Sequence, residues 1–205
     1  MESSKSGPRK IATVHGSMRE RLIEAANELF YAQGLRAVSV DKVIDRAGTT
    51  KVTFYRHFQS KEDLIVAYLE FRAELERTGV DAAIAHGDGD VDVSLRLMAD
   101  HTGTAACTPG FRGCPFINAA AEYPDADSPV RRVVDAHRAW WARAFERLVT
   151  PLGLAGPAAV AEDLMLLRDG VMVAGYLGDP ARIAASFLRS CQAVIRSAAR
   201  EPLPT

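Results

Sequence analysis

Residues 39–64, SVDKVIDRAGTTKVTFYRHFQSKEDL, permit little besides two short helices, a tight turn and the opening of a third helix. Ser39 can cap the first helix by accepting a bond from an orphaned backbone N–H. Val43, Ile44 and Ala47 then fall at helical spacing on one face, and Gly48 stands where a left-handed residue ends a helix. Thr49 and Thr50 both suit an N-cap, so the second helix starts within about three residues of the first. Phe54 and Phe58, four apart, anchor that helix, leaving Lys51, Thr53, Tyr55, Arg56 and His57 largely outside the anchor. Ser60 and Asp63 form a variant capping box that opens the third helix at Lys61. This is the arrangement a helix-turn-helix needs to set one helix in a DNA major groove.

AGTTKVTFYRHFQSKEDL (residues 47–64) resembles the DNA-binding core of the TetR/AcrR family of transcriptional repressors. Residues 18–40 are similar to that family's first helix, with Leu22, Ala26, Leu29 and Phe30 as an apolar stripe that Gly34 stops. Val52 stands where many members carry glycine. The resemblance implies a helix-turn-helix domain over residues 16–62 and a ligand-binding and dimerisation domain over 63–205. It implies that Ser39, Thr49, Thr50, Lys51, Thr53, Tyr55, Arg56, His57 and Lys61 contact double-stranded DNA. Lys51, Thr53 and Tyr55 would lie nearest base edges or phosphates, while His57 and Lys61 would hold phosphates.

Charge is distributed in the same sense. Residues 1–60 carry ten Lys/Arg against six Asp/Glu, a balance of +4, whereas residues 61–205 carry fifteen against twenty, a balance of −5. Lys5, Arg9 and Lys10 lie in a Ser/Gly/Pro-bearing segment, residues 1–15, read as a flexible arm able to track phosphates. No apolar run approaches the roughly twenty residues of a membrane span, and the N-terminus has no signal-peptide core. Three cysteines without framework spacing suit a reducing cytoplasm. No cofactor is expected, and His101, Cys107 and Cys114 lack metal-ligand spacing.

The remaining chain shows helical rather than strand periodicity, so the expected fold is all-α with about nine helices. Leu64, Ala67, Tyr68, Phe71 and Leu75 stripe a long helix expected to end before residues 86–89. Further helices are expected over 91–106, 115 to about 123, 130–149, 158–177 and 181–199, with loops over 107–113, 124–129 and 151–157.

Several residues in the second domain are candidates for holding a small molecule. Cys114, Asn118 and Glu122 follow at i, i+4, i+8 and make a thin polar stripe among Phe116, Ile117 and alanines, suited to lining a pocket or meeting a neighbouring helix. Met98, His101, Phe111, His137, Trp140, Trp141, Met165 and Met172 are further candidates, or plain core. Leu164, Leu167, Val171, Ala174, Ile183, Phe187 and Val194 give the last two helices broad apolar faces, which close the domain or, as the resemblance implies, meet a second copy in a four-helix bundle.

The leading expectation is a homodimeric, ligand-responsive repressor on a palindromic operator, released by a small-molecule inducer that shifts the helix opening at Lys61. Two alternatives use Cys114: a thiol-sensing DNA-binding regulator, or an enzyme with Cys114 as nucleophile, His137 as base and Glu122 as orienter.

Overall fold

Ser17 opens α1 (Met18–Gln33) with two reciprocal bonds: its hydroxyl accepts from the Glu20 N–H at 3.3 Å, and the Glu20 carboxylate accepts from the Ser17 N–H at 2.7 Å. The computed structural model describes residues 16–200, so the arm with Lys5, Arg9 and Lys10 lies outside the described residues. Leu22, Ala26 and Phe30 turn inward, as the stripe requires. Ser39 caps α2 (Val40–Ala47), which stops at Gly48 with φ 64° and ψ 49°, a conformation in which any side chain would be strained. Thr50 caps α3 (Lys51–His57), and the Ser60–Asp63 capping box starts α4 (Lys61–Gly87).

At 27 residues, α4 is about 40 Å long and belongs to both halves of the molecule. It runs on through His86 and Gly87, past the expected stop, because Asp88 supplies the left-handed cap at φ 45°. Gly87 is buried there, and a Cβ would sit 2.0 Å from the Ser94 hydroxyl, so only glycine allows α5 (Val91–Ala106) to cross so close. Then follow α6 (Pro115–Glu122), α7 (Pro129–Val149), α8 (Pro157–Leu177) and α9 (Ile183–Ala198), with short 3₁₀ turns before α8 and α9. The described residues form an all-helical fold of nine α-helices.

Two cores share α4. The first gathers α1, α2, α3 and the start of α4, together with Phe116 and Ala119 of α6 and Val130 and Val134 of α7. The second gathers the far half of α4 with α5, α7, α8 and α9. The core of the DNA-binding half is thereby continued into α6 by way of α4.

Candidate functional site

The α3 helix is held by Phe54, fully buried, and by Phe58 behind it, with the Tyr55 ring edge-on to Phe54 at 5.2 Å. Lys51, Tyr55, Arg56 and His57 are exposed on its outer side. Thr53 is half-buried; its Oγ1 lies 3.0 Å from that of Thr50, whose hydroxyl also caps the helix. Ser39 is exposed while serving as a cap, and Thr49 is half-buried in the turn. Val52 is the most exposed residue of α3 among the large apolar side chains, 71% open. It falls outside the DNA-facing set that the resemblance implies, yet an exposed apolar side chain beside Lys51 and Tyr55 can meet a thymine methyl. The Lys61 ammonium donates to the Arg36 carbonyl at 3.2 Å, which braces the α1–α2 loop, and burial lowers its pKa.

A cavity of about 900 Å³ opens between the two cores. It is lined by Asn27, Glu28 and Tyr31 of α1, by residues of α4 and α5, by the 108–113 loop, and by Trp141 and Met172. Of the expected ligand residues, Met98, His101, Phe111, Trp141 and Met172 stand in this wall. The others lie elsewhere. Cys114 and His137 border a separate recess of about 280 Å³, and Asn118 and Glu122 another of about 230 Å³. Trp140 lies beneath the Arg77 guanidinium, and Met165 is buried in the second core.

The polar stripe of α6 is real but its atoms serve the protein. Asn118 donates to the Arg112 carbonyl at 2.9 Å. The Glu122 carboxylate accepts from the backbone N–H of Leu35 at 2.9 Å and of Arg36 at 2.7 Å, and the Arg36 side chain returns to the Glu122 carbonyl at 2.8 Å. Nearby, the Tyr31 hydroxyl donates to the Gly113 carbonyl and accepts from the Arg112 N–H, both at 2.9 Å. These bonds fasten the end of α1 and the α1–α2 loop to residues 112–122. Glu122→Ala removes two charge-assisted bonds, so a loss of about 2 kcal/mol of stability is expected, read by urea denaturation.

Behind the cavity lies a buried ion cluster that sequence reasoning missed. One oxygen of Glu76, on α4, accepts from His137 Nε2 at 3.1 Å, Trp141 Nε1 at 3.0 Å and Arg168 Nη2 at 3.0 Å. Arg168 also donates to the Cys114 sulfur at 3.2 Å and to Asp169 at 3.3 Å, and Arg138 donates to Asp169 at 2.7 Å. Burial alone would raise the Glu76 pKa, but the His137 bond and the Arg168 charge outweigh it and hold the carboxyl at about 2. Burial lowers the His137 pKa despite Glu76, consistent with a Nδ1 that is enclosed without a partner and a ring stacked 3.6 Å over Phe116. A neutral ring donating from Nε2 satisfies this geometry. The only signal available in the sequence was Arg168-Asp169, a charged pair inside an apolar helix.

The relay Cys114–His137–Glu122 is not assembled, because His137 turns to Glu76 and Glu122 to residues 35 and 36. Cys114 is 2% exposed, Cys191 is buried and Cys107 is exposed.

The expected dimer residues also divide. Leu164, Val171, Ile183 and Phe187 are buried within the protomer, and Leu167 and Val194 pack half-buried against the second core; Ala174 is exposed. The open face of α8 instead carries Leu166, Gly170, Val173 and Leu177 at helical spacing, with the two leucines 69% and 74% exposed.

Residues 22–68 match the family model described as bacterial regulatory proteins, tetR family, and residues 94–151 match a tetracyclin repressor-like C-terminal domain. The fold is similar to that of SCO4454, a TetR-family transcriptional regulator from Streptomyces coelicolor, with TM-score 0.84 and 39% identity over 89% of this chain and 96% of that one. The chain is also 24% identical to the transcriptional regulator LmrA of Bacillus subtilis over 68% of this chain and 74% of LmrA. It is 38% identical to the transcriptional activator FasR of Mycolicibacterium smegmatis over 66 residues, 32% of this chain, and so spans only 30% of FasR's length.

Proposed function

The chain belongs to the TetR family of DNA-binding transcription regulators, not enzymes, and from that premise we propose that it is a homodimeric repressor whose grip on DNA is set by a small molecule in the 900 Å³ cavity. Each protomer sets α3 in a major groove, with Lys51, Tyr55, Arg56 and His57 facing DNA and Val52 between them. Two-fold symmetry then demands a palindromic operator whose half-sites lie about 34–36 Å apart or a multiple. Work on chromosomal DNA puts its action in the cytoplasm. No helix among the described residues is long and apolar enough to cross a membrane.

One observation carries the reading: the cavity is lined both by α1 of the DNA-binding domain and by α4, which leads out of that domain. A molecule filling it bears on both supports of α3. Moving the operator-bound fraction from 99% to 1% needs about 5.5 kcal/mol of differential affinity. That is the gain of burying about 250 Å² of apolar surface at 25 cal/mol per Å² in one state and not in the other, so the cavity must close on the effector in the released state and open in the DNA-bound one.

The test is duplex selection with the purified chain, followed by a reporter carrying the enriched sequence. An inverted repeat should emerge, reporter transcription should fall when the protein is present, and it should recover with the effector. Transcription that rises instead overturns repression; no enriched inverted repeat overturns operator binding. Lys51→Ala should weaken every duplex alike and flatten the salt dependence by about one unit for each phosphate no longer neutralised, hence about two in a homodimer. An unchanged slope shows that Lys51 holds no phosphate.

A further inference from the structure

Glu28 and Glu76 in the cavity wall both have cationic partners: Arg46 reaches Glu28 at 2.7 Å, and Arg168 reaches Glu76 at 3.0 Å. Arg72 has none. Among the described residues no carboxylate lies within salt-bridge distance of its guanidinium, no hydrogen bond engages it, and its Nε is enclosed without an acceptor. It stands 5.3 Å over the ring of Tyr31, which orients the planar group beside α1. Asn27, one turn before Tyr31 in the same wall, likewise has an enclosed amide oxygen with no partner. Rotation of that amide presents its NH2 instead. Val80, Leu97, Met98, Phe111 and Met172 make much of the remaining wall apolar.

The Arg72 guanidinium, half-buried with its Nε enclosed and no counter-charge beside it, is free to meet an anion entering this largely apolar cavity. Its planar fork matches a carboxylate better than a point charge would. We infer that the effector is an amphiphilic carboxylate: its acid group sits on Arg72, with the Asn27 amide donating a further bond, and its apolar body fills the space toward Phe111 and Met172. The inference rests on the cavity being the effector site and specifies its chemistry. It also names the point of action, since both acid-binding residues lie on the helices that support α3.

Calorimetric titration of the full chain tests it with matched probes: decanoate and 2-naphthoate, each against its primary amide. The wild type should bind each acid at least about tenfold more tightly than the amide. Arg72→Gln should bring the acid down to the amide's affinity and leave the amide unchanged, and Arg72→Lys should retain part of the preference. Because the guanidinium makes no hydrogen bond or ion pair among the described residues, the glutamine variant's Tm without ligand should stay close to the wild type's. Equal binding of acid and amide, equal weakening of both by Arg72→Gln, a lowered Tm of that variant, or no binding of either acid overturns the assignment. Adding the selected duplex separates the two readings. Acids that bind without changing duplex affinity overturn the effector role and leave the acid site standing. Amides that release the duplex as well as acids do overturn the acid site and leave the effector role standing.

Discussion

Glu76→Leu is expected to destabilise the protein by about 3–5 kcal/mol, because it leaves Arg168, buried at 3% exposed, with only the half-buried Asp169 at 3.3 Å to compensate it. His137 and Trp141 lose their acceptor in the same step. For a chain of this length that corresponds to a fall in Tm of about 10 °C, measurable by circular dichroism. The double variant Glu76→Leu/Arg168→Met should recover much of the loss, since burying neither charge is often as stable as burying both. A single variant within about 1 kcal/mol of wild type would show that the cluster does not stabilise the fold.

Acid sensitivity follows with a definite sign. Glu76 titrates near 2 in the folded state against 4.5 for the free group, so its contribution is complete above about pH 4.5 and is lost as pH falls toward 2. That shift corresponds to roughly 3 kcal/mol. His137 acts in the same direction: its folded pKa lies below 6.5, so protonation favours the unfolded chain as pH falls below that value. Glu76→Leu should therefore flatten the loss of stability between pH 4.5 and 2, as well as lowering stability at neutral pH.

What could be read in the sequence and what could not divides along the range of the forces involved. Ser39, Thr50 and Ser60 bond N–H groups three residues ahead, and Gly48 supplies a local backbone conformation. Each is legible without knowing the rest of the chain, and α2, α3 and α4 begin after those caps. The stop of α4 is less legible, because Asp88 caps it in a left-handed conformation that a non-glycine residue seldom adopts, whereas the neighbouring Gly87 is a close-contact residue. The Glu76–Arg168 pair spans 92 positions and leaves no local pattern, and the same holds for the placing of Arg72 and Asn27 in the lining of one cavity. The stripe of α6 was visible, but a carboxylate on a helix face looks the same whether it awaits a ligand or holds the backbone of residues 35 and 36. The orientation of α8 was hidden for another reason. Leu164, Leu166, Leu167, Val171 and Val173 surround the helix, so periodicity alone does not say which side meets its own core.

That last ambiguity sets up a prediction with a large effect on DNA binding. If the proposed homodimer meets through the open face of α8, Leu166→Asp/Leu177→Asp is expected to give a folded monomer, with helix content unchanged and affinity for the selected inverted-repeat duplex lowered by about a hundredfold or more. Both leucines are more than two-thirds exposed in the protomer, so neither substitution disturbs its packing. In a two-fold assembly four leucines would be covered, at about 1.5–3 kcal/mol each for full burial, or roughly 6–12 kcal/mol in all. Four aspartates would forfeit that gain and add unpaired charge to the interface. Leu164→Asp makes the contrast: that side chain is fully buried between helices of one protomer, so it should unfold the second core before any question of assembly arises. Sedimentation velocity with circular dichroism separates the cases. A double variant that still sediments as a dimer places the interface elsewhere, while one that loses helix content shows that these leucines belong to the protomer's own core.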